Sequence, residues 1–229
     1  MTFESVCVVG DGRVGHALAG RLASRVRTRT TGRDLECRDA DLVVLCVPDR
    51  AIPEVAAAIP AGPWLAHTSG ATTLDALEPH SRRFSLHPLQ TFVHERGPEQ
   101  LDGAWAAVSG PDGEAMAAGF ELADLLGLRA FELEDAARPL YHAGATVAAA
   151  FLVTLHEAGA ALFRAAGAPP EALEPLMRRT IENGFRPTGP HTRGDWTTVE
   201  RHLQELRKHR PDLEPLYRAL SDATPAAAP

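Results

Sequence analysis

Apolar positions follow two different rhythms along the chain. Up to about residue 133, short apolar runs alternate with segments of helical spacing; beyond it every apolar repeat is helical. Val6-Cys7-Val8-Val9 predicts a buried strand, and Val14, Ala17, Leu18 and Leu22 share one face of a helix over 14–24. Residues 26–30 predict a weakly apolar strand near a sheet edge. The run from Leu42 to Val47, stopped by Pro48, suits a central parallel strand buried on both faces. A helix over 51–59, strands over 64–67 and 83–86, a short helix through Leu74 and Leu77, strands over 105–108 and 129–133, and a helix over 114–126 complete the series. The fold class expected is α/β, a doubly wound parallel sheet of the Rossmann type followed by an all-α C-terminal domain.

That second domain begins with residues 136–166, alanine-rich and apolar nearly all round, which must be packed on most sides in a helical domain or a dimer core. Pro169-Pro170 opens another helix and Asn183-Gly184 closes it. Thr197-Thr198-Val199-Glu200 reads as a capping box for a helix to Lys208, and a short helix over 212–220 follows. The expected division is 1–133, 134–222, and a disordered tail over 223–229.

Composition narrows the functions. The net charge of −7 leaves no basic field for nucleic acid or an anionic membrane surface. No apolar run reads as long enough to span a membrane and nothing near Met1 resembles a signal peptide, so the expected address is the cytoplasm. Cys7, Cys37 and Cys46 lack metal-ligand spacing and are expected to be buried reduced thiols. No metal site is expected from His67, His87 and His94 either. Lys208 is the single lysine, so lysine-based catalysis has one candidate.

The candidate chemistry starts at Gly10-Asp11-Gly12-Arg13-Val14-Gly15, between the first strand and the first helix. Gly10 permits a tight turn, Gly12 a close approach to a pyrophosphate, and Gly15 close packing of helix on strand. About 20 residues on, Thr30-Thr31-Gly32-Arg33 offers hydroxyls and a guanidinium where NAD-selective folds place an acid, which favours NADP with NAD as the alternative. Ligands in such sheets bind beyond the carboxyl ends of the strands, here Val47-Pro48-Asp49, Thr68-Ser69-Gly70 and His87 to Thr91. Ser69 and His87 are candidates to meet at the nicotinamide, His87 as proton donor. Tyr141 and His142, early in the long helix, are further candidates, and Arg193 can clamp a substrate carboxylate.

With Ser85-Leu86-His87-Pro88-Leu89-Gln90-Thr91-Phe92, Leu140-Tyr141-His142-Ala143 and Arg193-Gly194-Asp195, these stretches resemble, over nearly the whole chain, bacterial proteins described as Rossmann-like with a DUF2520 domain. That family looks like a branch of the 6-phosphogluconate dehydrogenase-like superfamily, alongside ketopantoate, pyrroline-5-carboxylate and β-hydroxyacid enzymes and prephenate dehydrogenases. The resemblance implies an oxidoreductase that is usually a homodimer through its helical domain. Ser69, His87 and His142 are similar in placement to a serine, a His-Pro and a second histidine of prephenate dehydrogenases, whereas the interdomain lysine of ketopantoate reductases has no counterpart between 136 and 166. The reading is therefore NADPH-dependent reduction of a small keto acid, ketopantoate-like, or an imine. His87, Ser69 and His142 would be catalytic; Gly10, Gly12, Arg13, Val14, Gly15, Arg33, Val47, Pro48 and Thr68 would hold cofactor; Arg193, Tyr141 and Gln90 would hold substrate. Prephenate-type oxidation and a non-catalytic dinucleotide-binding regulator are the alternatives.

Overall fold

Strands β1 (Ser5–Val9), β2 (Arg27–Thr31), β3 (Leu42–Leu45), β4 (Trp64–His67), β5 (Arg83–Leu89), β6 (Trp105–Ser109) and β7 (Arg129–Glu132) form one sheet ordered β2-β1-β3-β4-β5-β6-β7. The computed structural model describes residues 2–32, 34–37 and 39–224. Side chains alternate across the sheet, so Val6, Val8, Leu42, Val44, Ala66, Phe84 and Leu86 pack on one face beneath helices α1 (Arg13–Leu22) and α3 (Gly113–Leu126). On the other face Cys7, Val9, Val43, Leu45 and Leu65 pack with Ile52 and Ala56 of α2 (Ile52–Ala58) and with Leu74 and Leu77. His67 of β4 and Ser85 and His87 of β5 share that second face by the same alternation, with His67 paired to Ser85. Polar groups thus gather where the apolar core of this face runs out.

Three expectations about the sheet are revised. The first five strands are parallel, but β6 runs antiparallel to β5, and β7 is parallel to β6. The connection explains it: residues 90–104 form a loop with one short 3-10 turn at Pro98–Leu101, not the helix a parallel crossover needs. Gln100 holds this loop, accepting Val93 N at 2.8 Å and donating to Arg96 O at 2.8 Å. Second, Cys7 and Cys37 are joined in a disulfide, so they are not reduced thiols; the loop after β2 crosses β1 and brings the two Cα atoms to 5.7 Å. Third, His87 lies inside β5, because pairing with Ala107 of β6 carries the strand through it to Leu89.

The chain divides into one compact unit through Val147 and another from Ala148. The first unit extends past residue 133 because Arg138, in α4 (Arg138–Ala148), is wholly buried against Ser69 of the loop after β4 and Ser85 of β5. The second unit comprises α5 (Ala150–Ala165), α6 (Leu173–Glu182), α7 (Trp196–His209) and α8 (Glu214–Ala223). Val199, Leu203 and Leu206 form its small core with Leu162, Leu213 and Tyr217 packed on it. The cap of α7 is Asp195, not a Thr197 capping box: its carboxylate accepts Thr198 N at 3.1 Å and the Thr198 hydroxyl at 2.7 Å. Ala223 still belongs to α8, and residues 225–229 of the expected tail lie outside the described residues.

The expectation about membrane-length segments also changes. Asp135–Ala165 is long and apolar enough to cross a membrane by length and composition. Alanines separated by few charges produce this, and only Ala160 of α5 is buried.

Candidate active site

The β1–α1 turn is built around missing side chains. Gly10 has φ +107°, and a Cβ there would stand 2.6 Å from Cys46 O; one on Gly15 would stand 2.0 Å from Gly10 O. These two glycines let α1 lie directly on the turn. Gly12 differs, since a Cβ there would meet nothing within 4 Å. Gly12 is also the N-cap of α1, which has no side-chain cap and no acidic residue in its first turn. Free N–H groups, the positive end of a helix dipole and open space together fit an anion such as a dinucleotide pyrophosphate. Arg13 is exposed and Val14 half-buried at this helix start.

At the far side of the same carboxyl edge, three rings converge around His87. The Tyr141 hydroxyl lies 2.8 Å from His87 Nδ1, with ring centroids 5.6 Å apart. His142 meets His87 edge to face at 6.0 Å. Gly70 makes this possible: a Cβ there would stand 2.6 Å from His142 Cδ2 and 2.8 Å from His87 Nε2. Burial, then the Arg138 and His142 charges, hold His87 down to about 4, against the pull of Asp49. The ring is therefore neutral at pH 7. Burial raises the Tyr141 phenol above its usual range while the Arg138 charge opposes this.

Arg138 organises the cluster from beneath. Its guanidinium donates to Ser69 O at 2.8 Å and to the Ser85 hydroxyl, and lies 3.2 Å from Asp135 Oδ1 without hydrogen-bond alignment. Asp135 Oδ2 accepts Leu74 N at 2.9 Å, so one ion pair ties α4 to the loop after β4. A buried arginine with partners on three segments fixes where Tyr141 and His142, one helical turn on, are presented. His67 is completely buried with neither ring nitrogen partnered, and burial together with Arg138 holds it down to about 3. Arg138 and His67 were not among the sequence candidates. The i, i+3 and i+4 spacing of Arg138 to Tyr141 and His142 in an otherwise apolar helix is the signal that could have found the first.

Ser69 Oγ accepts Ala71 N at 3.2 Å and Thr72 N at 3.0 Å, so its hydroxyl shapes its own loop. The Thr68 hydroxyl donates to Leu45 O at 3.3 Å, joining the ends of β3 and β4 beside Val47 and Pro48. Gln90 is exposed and its amide donates to Gln100 O at 3.0 Å, bracing the β5–β6 loop. Arg193 is exposed in the second unit, in the turn before α7. Arg33 lies outside the described residues, while the Asp34 carboxylate comes within 3.8 Å of where a Gly32 Cβ would stand.

Residues 104–224 match the family model described as "Domain of unknown function (DUF2520)". No curated protein matches the chain. Among solved structures, protein BF3122 from Bacteroides fragilis, whose description reads "putative NADP oxidoreductase", is similar at 18% identity and TM-score 0.78, covering 96% of this chain and 97% of its own. Protein TM1727 from Thermotoga maritima is similar at 25% identity and TM-score 0.77, over 95% and 96% of the two chains. A 1-pyrroline-5-carboxylate reductase from Streptococcus pyogenes is similar at 17% identity and TM-score 0.67, over 97% and 96%. The likeness is one of fold and runs through both units.

Proposed function

We propose that this chain, which belongs to the DUF2520 family, is a nicotinamide-dinucleotide-dependent oxidoreductase that reduces a small keto acid or imine at the carboxyl ends of β4 and β5. The observation that carries the reading is the open, uncapped α1 N-terminus on the same sheet edge as the His87–Tyr141–His142 cluster. The descriptions of two structural neighbours, an NADP oxidoreductase and a pyrroline-carboxylate reductase, support the reaction class. A bound dinucleotide supplies hydride to the substrate carbon.

The chain's own part is the proton. With His87 neutral and Nδ1 accepting from the Tyr141 hydroxyl, the remaining ring proton sits on Nε2, beside Gly70 and His142. That N–H polarises the substrate oxygen or nitrogen and then passes its proton to it. Nδ1 takes the Tyr141 proton in the same event, so no imidazolium forms and the charge comes to rest on the phenolate. Arg138 offsets part of what burial costs that phenolate, and for a keto acid the alkoxide is a far stronger base than a phenolate, so the transfer runs downhill. His142 orients the substrate against His87. Preference for NADPH rests on Arg33.

Gly12→Ala tests the cofactor half directly. Gly12 has φ −75° and ψ 179°, which alanine adopts without strain, and its Cβ meets no atom, so the variant folds. It places a methyl group in the pyrophosphate cradle, and NADPH affinity falls tenfold or more by fluorescence titration. Unchanged affinity contradicts the placement of the cofactor.

The exposed apolar side chains of α5, among them Phe151, Leu152 and Val153, belong to the same proposal as a homodimer surface.

A further inference from the structure

The connection from β2 to β3 must pass over β1, since β1 lies between them in the sheet. Parallel crossovers of this kind are usually helices of a dozen residues or more. Here residues 32–41 make the crossing, and their described part contains no helix. They contribute only Leu35, Cys37 and Ala40 to the core beneath. Cys37 lies over Cys7, the middle residue of β1, and the disulfide replaces the packing that a helix would have supplied. The end of the crossing is anchored independently, Asp41 Oδ2 accepting Ser5 N at 2.8 Å and Glu4 N at 2.9 Å, whereas its middle is held, besides the disulfide, by Arg29 Nη1 donating to Glu36 O at 2.8 Å.

Both sulfur-bearing residues are nearly covered, yet both line a cavity of about 280 Å³ walled by Arg27, Arg29, Glu36 and Asp39. The cavity marks the side from which a small thiol would approach the bond. The loop leaves β2 at Gly32, past the carboxyl end of β2, on the side where the proposed cofactor's ribose end would lie. We propose that Cys7–Cys37 is a thiol–disulfide switch: the oxidised form staples the crossing loop to β1 and holds the adenosine end of the dinucleotide site in its binding form, and reduction releases it. The consequence for cofactor rests on the function proposed above; the staple itself does not.

The chemistry is thiol–disulfide exchange with an external dithiol. One reductant thiolate attacks a cysteine sulfur, forms a mixed disulfide and releases the other cysteine as a thiolate. The second reductant thiol displaces the first, so two electrons and two protons enter the protein and the dithiol leaves as a disulfide. Cys46 takes no part, because burial pushes its thiol up to about 12.

The test uses the wild-type full chain, air-oxidised or treated with dithiothreitol. Thiol titration in denaturant reads one thiol in the oxidised protein, Cys46, and three after reduction; three in the oxidised protein overturns the proposal. NADPH titration shows affinity at least tenfold weaker after reduction, and Cys37→Ser has the weak affinity in both conditions. Equal affinities in the two wild-type states overturn the coupling. Amide hydrogen exchange of β1 and residues 34–37 reads the staple without cofactor and speeds up on reduction; no change overturns the staple itself. If neither state binds NADPH while exchange responds, it is the dinucleotide reading that fails.

Discussion

At the scale of single residues, the proposed proton transfer depends on a histidine kept neutral. His87 is held to about 4 and His67 to about 3, both below the ordinary histidine value, so the folded protein binds fewer protons than the unfolded chain between those values and about 6.5. Stability from these two groups is present above about pH 6.5 and is lost as pH falls through that window, by several kcal/mol together. Urea midpoints measured at pH 7 and pH 5 should fall accordingly, and His67→Asn should flatten the difference. For catalysis, kcat/KM should stay level from pH 6 to 8; a rise toward pH 4 would show imidazolium to be the donor. Tyr141→Phe removes the proton source and should lower kcat by about 10²–10⁴-fold, within the range of general acid–base effects, while leaving NADPH affinity unchanged. Gly70→Ala should cost comparable activity, because the added methyl group displaces both imidazoles. His87 and the glycines were legible in the sequence because strand ends and glycine turns locate ligands in any such sheet. Arg138 and His67 were not, because their roles come from strands and a helix brought together only on folding.

At the scale of elements, most strands were legible because buried parallel strands are continuous apolar runs, as in Val43-Val44-Leu45. The direction of β6 was not, since a period of two is the same in either sense and only the loop over 90–104 decides it. Nor was the helix-free crossing of β1, whose fixing contact lies between residues separated by 30 positions. A loop of that size closed by a disulfide contributes about 3–4 kcal/mol on the chain-entropy account. Cys37→Ala should therefore lower stability by that order in oxidised protein and by much less in reduced protein, read from urea midpoints in each condition. The α7 cap makes a smaller prediction: Asp195→Ala costs about 1 kcal/mol.

At the scale of the whole molecule, two units and a long apolar helical stretch raise the question of what covers α5. Sedimentation in detergent-free buffer should find a dimer, and Phe151→Asp with Val153→Asp should shift it to monomer; a protein that needs detergent to stay in solution would point to a membrane instead. The fold was readable at this scale because the change of period near residue 133 marks where the sheet ends. The partner surface was readable only as excess apolar character. The central claim is that the open α1 N-terminus and the His87–Tyr141 pair serve one reduction. Its most direct test is to follow NADPH absorbance with a panel of 2-keto acids, ketopantoate first, and cyclic imines. Turnover with at least one substrate, lost in Tyr141→Phe, is expected; tight NADPH binding with no turnover across the panel would rule out the reduction and leave a dinucleotide-binding regulator.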